Sequence, residues 1–182
     1  MLEREVKLRF QSVDAARDAV RRSGAIPLRG RRLQEDCLLD TRQRALSESQ
    51  SVLRVRIEPG RTFLTFKGPL QRSAVKARDE LETEAGDSSV LMKILEALGF
   101  RVSFRYQKYR EEFKSDDAVI AIDETPVGVF VEIEGSEQSI AGVTAALGRT
   151  ADDYLVDSYR ALYLQHCGER GIAATHMLFT AD

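Results

Sequence analysis

The sequence predicts an α+β protein: a closed, eight-stranded antiparallel β tunnel with a charged lumen and helices packed outside. Three observations predict it. Charged and apolar residues alternate with a period of two in at least seven strand-like runs. The charged faces concentrate Arg and Glu, where an ordinary solvated sheet face mixes Thr, Ser, Gln, Asn and Lys. Four further segments each have a small polar starter and a glycine stop, the signature of helices able to cover the apolar faces. If helices cover the apolar side, the charged side becomes the lumen.

The first run, at 2–10, sets Leu2, Val6, Leu8 and Phe10 on one face, interrupted by Arg4, and Glu3, Glu5, Lys7 and Arg9 on the other. Ser12 caps a helix that stops at Gly24. A second strand reads over 33–40. In the third, 52–58, Arg54, Arg56 and Glu58 oppose Leu53, Val55 and Ile57. Pro59, Gly60 and Arg61 form a tight turn into 62–67, where Thr65 and Lys67 oppose Leu64 and Phe66. Over 77–84, Arg78, Glu80, Glu82 and Glu84 align. Ser88 or Ser89 caps the next helix, to Gly99. Over 104–113, Tyr106, Lys108, Arg110 and Glu112 align. Residues 115–117 form a hairpin turn into 118–123, where Asp123 opposes Ile120 and Ile122. Over 128–134, Glu132 and Glu134 oppose Val129, Val131 and Ile133. Ser139 caps a helix to Gly148, and Asp152 caps a last one to Gly168. A single domain spans 1–167, and 168–182 is a C-terminal tail without a clear period, read as a flexible extension.

Same-sign pairs two residues apart stand roughly 7 Å from each other on one side of a strand. They repel unless opposite charge lies between them. The acid pairs Glu3/Glu5 and Glu132/Glu134 suggest cations, and the base pairs Arg54/Arg56 and Lys108/Arg110 suggest an oxyanion. Together they suggest a polyphosphate with a divalent metal.

Composition excludes several classes. With 31% charged and 43% hydrophobic residues, the 182-residue chain is neither disordered nor short of a core. Net charge is −2, which argues against a general nucleic-acid binder. No run is apolar enough for a membrane span, and no signal peptide is visible, so a cytoplasmic location with reduced Cys37 and Cys167 is expected. His166 and His176 lie outside the strands, so no histidine catalysis is expected. Tyr154, Tyr159 and Tyr163 read as packing groups and Cys37 as filler. A homodimer is possible.

The opening Glu3-Arg4-Glu5-Val6-Lys7 resembles the ExExK signature of the CYTH domain family, the triphosphate tunnel metalloenzymes. Other stretches follow in the family's order: QED at 34–36, LRVR at 53–56, TFKGP at 65–69, RDELE at 78–82, KYR at 108–110, IAIDE at 120–124, FVEIEG at 130–135 and DSYRALY at 157–163. The resemblance implies a small triphosphorylated substrate and Mg²⁺ or Mn²⁺. It implies that Glu3, Glu5, Glu132 and Glu134 bind metal. It implies that Lys7, Arg54, Arg56, Lys67, Arg78, Lys108 and Arg110 bind the substrate. It places Lys7, Arg56, Glu80 and Asp123 nearest the chemistry, and makes the last helix a plug at one tunnel mouth. The activity it implies first is metal-dependent hydrolysis of an inorganic, nucleoside or thiamine triphosphate. A class IV-type adenylate cyclase and a non-catalytic polyphosphate-binding module are the alternatives.

Overall fold

The computed structural model describes residues 2–71 and 75–180; Met1 of the expected domain and the last two residues of the expected tail lie outside them. Eight strands form the sheet: β1 Leu2–Phe10, β2 Ile26–Thr41, β3 Val52–Glu58, β4 Arg61–Lys67, β5 Lys76–Ala85, β6 Phe100–Ser115, β7 Ala118–Thr125 and β8 Gly128–Glu134. They close into an antiparallel barrel in the order β1-β5-β4-β3-β2-β6-β7-β8. The expected tunnel is therefore present. Five helices accompany it: α1 Val13–Arg22, α2 Ala45–Glu48, α3 Ser88–Ala97, α4 Glu137–Ala146 and α5 Tyr159–Arg170. Among the described residues no helix is long and apolar enough to cross a membrane.

The outward faces of β1, β7 and β8 bury Val6, Leu8, Ile120, Ile122, Val131 and Ile133 under α1 and α4, which contribute Ala16, Val20, Ile140 and Val143. Each such side chain contributes roughly 1.5–3 kcal/mol when fully buried. A smaller cluster sets Leu95 of α3 on Cys37, Leu39 and Val55 of β2 and β3. The third cluster lies inside the lower end of the barrel, below Arg9 and Phe130, where Tyr159, Leu162, Tyr163 and Cys167 of α5 pack on Phe104, Tyr106 and Phe130. Helix α5 thus plugs part of that end, as the resemblance implied.

Three helix starts differ from the sequence reading. Asp87, not Ser88 or Ser89, caps α3: its carboxylate accepts the N–H of Ser89 (2.8 Å) and Val90 (3.1 Å). An anion at a helix N-terminus also meets the dipole favourably. Ser136, not Ser139, caps α4, accepting the Ser139 N–H at 3.0 Å. Asp152 lies in a short 3-10 turn, Ala151–Asp153. The chain then extends so that Leu155 and Lys7 exchange backbone hydrogen bonds of 2.9 and 3.0 Å. Helix α5 therefore begins only after Ser158, and it ends at the left-handed Gly171, not at Gly168.

Strands β2 and β6 each run for 16 residues, longer than expected. Register shifts at Pro27/Arg29 and Arg29/Arg32 break the alternation there, which hid the first part of β2 in the sequence. The tail is pinned rather than loose. Below Tyr109, β6 has outrun β7, and Met177 takes the open edge: its N–H donates to the Arg105 carbonyl (3.0 Å) and its carbonyl accepts from the Gln107 N–H (2.8 Å). Its side chain is completely buried in the α5 cluster.

Candidate active site

Because side chains alternate, each strand turns one row inward, and the registers set these rows side by side. Glu5 stands opposite Glu134 and Lys7 opposite Glu132 across β1 and β8. Glu3 faces Arg78 across β1 and β5, Lys67 faces Glu80 across β4 and β5, and Asp36 faces Arg56 across β2 and β3. The result is one cavity of about 730 Å³. Of the thirteen site residues expected from the sequence, all but Asp123 line it. Asp123 stands on the same inward row, opposite Arg110 and Phe130, but is completely buried at the deep end.

From there Asp123 organises the deep wall. Lys108 Nζ donates to its Oδ2 at 2.8 Å, Arg110 donates to both carboxylate oxygens at 2.7 and 2.6 Å, and the Tyr159 hydroxyl donates to Oδ2 at 2.6 Å. Glu132 sits among three cations: Lys7 at 3.1 Å, Lys108 at 3.9 Å, and Arg110 in direct contact. Lys7 also reaches Glu5 at 3.2 Å. Burial alone would raise Glu132, but Lys7, Lys108 and Arg110 outweigh it and hold its carboxyl well below the usual range. Burial, then repulsion from Arg110, brings Lys108 down to about 8 despite Asp123.

A second group surrounds Asp36, which is completely buried on β2. Arg56 donates to it at 2.9 and 3.3 Å, and Arg54 Nε lies 3.5 Å away. Burial opposes ionisation of Asp36, yet these two guanidiniums keep its carboxyl low. Arg54 also reaches Thr65 at 3.1 Å and Glu82 at 3.3 Å.

The upper mouth is acidic. Lys67 bridges Glu3 (2.7 Å) and Glu80 (2.8 Å), and Lys76 contacts Glu5. Burial, a hydrogen bond with Glu80 and the charge of Glu5 push Glu3 up to about 8. Burial, then Glu5 and Glu80, also raises Glu134. Carboxylates that retain protons mark excess negative charge. Among the described residues no three acidic groups converge into a preformed metal cage. The donor chemistry nevertheless fits a hard divalent ion, which prefers carboxylate oxygen and would relieve the crowding of negative charge at this mouth.

Sequence reasoning missed three contributors. Lys76 lies one residue before the strand as read, yet on the same face as Arg78 and Glu80. Asp36 was visible only as a letter of the QED motif. Tyr159 was assigned to packing; it packs, and it also donates to Asp123.

The CYTH domain family model matches residues 1–152. A Methanocaldococcus jannaschii protein, provisionally named an adenylate cyclase, is 30% identical over 141 residues, 77% of this chain and 80% of that protein. The solved PH1819 protein of Pyrococcus horikoshii superposes with a TM-score of 0.74 at 28% identity, covering 90% of this chain and 99% of that one. A Hippeastrum protein described as having a dominant triphosphatase activity superposes with a TM-score of 0.64 at 18% identity, covering 94% and 97%; at that identity the likeness is one of fold. With its barrel, its charged lumen and a family match over most of its length, this chain belongs to the CYTH domain family.

Proposed function

We propose that the protein is a metal-dependent phosphohydrolase that acts on a small linear triphosphate, inorganic, nucleoside or thiamine. One observation carries the reading. Arg78 is 8% exposed and lines the tunnel cavity, yet among the described residues it has no carboxylate within 4 Å, and its Nε lacks an acceptor. A buried guanidinium without a counter-charge costs several kcal/mol. Such a group fits a site built around an anion that comes from outside the chain. Arg54, whose Nε is also without an acceptor, lines the same space with Arg56, Lys108 and Arg110. Arginine forks suit phosphate oxygens, and so many cations in one cavity suit several phosphates in a row.

In this reading Arg54, Arg56 and Arg78 grip the phosphate chain, and Lys7, Lys67, Lys108 and Arg110 add point charges and forks. Asp123, which does not line the cavity, fixes Lys108 and Arg110 in place, and Tyr159 holds Asp123 from the cavity floor. Glu3, Glu5 and Glu134, with Glu132 behind them, would hold Mg²⁺ or Mn²⁺, whose chemistry is to neutralise charge on phosphate oxygens and orient an attacking water. Phosphoryl transfer needs chiefly such positioning and electrostatic stabilisation. The carboxylates favour an enzyme over a pure binding module, because anion binding alone has no use for them.

A second reading, adenylate cyclase, is supported by the name of the M. jannaschii relative at 30% identity. The deciding experiment offers inorganic triphosphate, thiamine triphosphate and ATP with Mg²⁺ or Mn²⁺, and follows phosphate, pyrophosphate and cyclic AMP separately. Phosphate release from a triphosphate supports hydrolysis. Pyrophosphate and cyclic AMP in equal amounts from ATP would replace it with cyclisation.

A further inference from the structure

A smaller cavity of about 280 Å³ opens beside the lower end of the tunnel. Asp40 and Thr41 at the end of β2, Arg44 just before α2, Ser47 on α2, Arg101 on β6 and Arg160 on α5 wall it. Ser47 and Arg160 line both this pocket and the tunnel cavity, so the two spaces adjoin.

Its charge balance differs from that of the tunnel. Most lumen cations have a carboxylate within 4 Å. Among the described residues Arg44 and Arg160 have none, and Arg101 reaches only Glu96, at 3.9 Å and largely exposed to solvent. The pocket's own carboxylate, Asp40, is engaged elsewhere. It accepts the N–H groups of Thr41 (2.8 Å), Leu46 (2.9 Å) and Ser47 (3.0 Å) and the Ser47 hydroxyl (2.6 Å). Those bonds fix the segment that carries Arg44 and Ser47 and occupy the oxygens of Asp40 with neutral donors. Three guanidiniums then share a small space with the hydroxyl of Thr41. Among the described residues no aromatic ring lines it, which disfavours a nucleobase that would stack there.

We propose that this pocket binds a phosphate group of a substrate that continues past the triphosphate held in the tunnel. The favoured substrates are then linear polyphosphates longer than three phosphates. Arginine forks and a hydroxyl are what a phosphate oxygen set recognises, and a polyphosphate presents the same group at every unit. The inference rests on the triphosphate reading above and extends it beyond the tunnel.

Calorimetric titration in the presence of a chelator, which prevents turnover, tests it with tripolyphosphate, tetrapolyphosphate and a longer linear polyphosphate. Wild-type protein should bind the longer chains about tenfold more tightly than tripolyphosphate, the worth of one or two charge-assisted contacts. The R44A/R101A variant, altered at two exposed positions outside the tunnel, should lose that preference while binding tripolyphosphate as before. R101E alone should reverse the preference and provides a second variant if the double one folds poorly. Equal affinities for all chains in the wild type, or a preference that survives in both variants, overturns the inference. Orthophosphate binding that the variant abolishes, with no gain for longer chains, also overturns it in favour of a free-phosphate site. Failure of tripolyphosphate to bind both with the chelator and with Mg²⁺ present overturns the functional reading on which it rests.

Discussion

Tyr159, on a helix that plugs the barrel from below, donates its hydroxyl to Asp123 Oδ2 at 2.6 Å, and that same oxygen receives Lys108 and Arg110. Helix α5 is thereby coupled to the cations of the cavity wall through one buried carboxylate. Replacing Tyr159 with Phe removes a single hydrogen bond and keeps the ring. We expect kcat/KM on the preferred triphosphate to fall about three- to tenfold, at a stability cost of about 1–2 kcal/mol. Denaturant melts alongside kinetics separate the two effects. Unchanged kcat/KM would show that α5 merely fills space.

Arg56 and Glu5 should respond differently to metal. Arg56→Ala should lower kcat/KM about tenfold to a hundredfold, because a charge-assisted contact to phosphate is worth roughly 1.5–3 kcal/mol. Extra Mn²⁺ should not restore it. Glu5→Gln should be partly rescued by extra Mn²⁺. A metal titration of both variants checks the pair, and recovery of Arg56→Ala with metal refutes the assignment. Arg56→Ala should also destabilise the fold by roughly 3 kcal/mol, since the fully buried Asp36 keeps only the longer contact to Arg54.

The two acids of β8 should behave unlike each other. Glu132 neutralises Lys7, Lys108 and Arg110, so Glu132→Gln leaves three cations crowded and should destabilise by about 2–4 kcal/mol. Glu134 is the more exposed of the two, at the mouth, where partial desolvation and then nearby Glu5 and Glu80 disfavour its charge. Glu134→Gln should be neutral or slightly stabilising while weakening metal dependence. Chemical denaturation ranks the two; equal effects on stability would contradict the division.

Acid should attack the wall at Glu58. This carboxylate accepts Arg29 at 2.6 Å, Arg32 at 2.8 Å and Gln34 at 2.9 Å. Although burial opposes it, these partners lower its pKa from 4.5 to about 2. A depressed carboxyl stabilises above its unfolded value, and that stability is lost as pH falls from about 4.5 toward 2. Allowing for screening at Arg29, which is partly open to solvent, the loss is on the order of 2 kcal/mol. Urea melts at pH 6, 4 and 3 should show wild type losing its advantage over Glu58→Gln as pH drops. A constant difference between the two would rule this out.

Met177 should matter despite its place near the chain end. Its side chain is fully buried against α5, so Met177→Ala should cost about 2–5 kcal/mol. Thermal unfolding reads the effect directly, and a shift of under one degree would show that the tail contributes nothing.

The period of two made the barrel legible, because each lumen residue is two places from the next and a one-residue error would invert the whole strand. It failed where the ladder itself is irregular. Bulges hid the first part of β2, and starting β5 at Ala77 concealed Lys76. Helix starts were misread by a few residues because several adjacent Ser and Asp side chains could each cap, and only tertiary contacts choose. The Leu155–Lys7 bridge, for instance, holds residues 154–157 extended and delays α5 to Ser158. Asp36 and Tyr159 were out of reach for a different reason: their roles lie in pairings between strands or between helix and barrel, which no local pattern encodes.

The ion pairs of the lumen have a consequence for ligand choice. Lys7, Arg54, Arg56, Lys67, Lys108 and Arg110 each already hold a carboxylate of the chain. An incoming anion therefore trades places with Asp and Glu side chains tethered on the spot. A lone phosphate swaps one contact for another and gains almost nothing, whereas linked phosphates displace several carboxylates in a single arrival and lose translational freedom once. We infer that such a lumen selects for linked phosphates over a lone one by exchange of contacts as well as by charge.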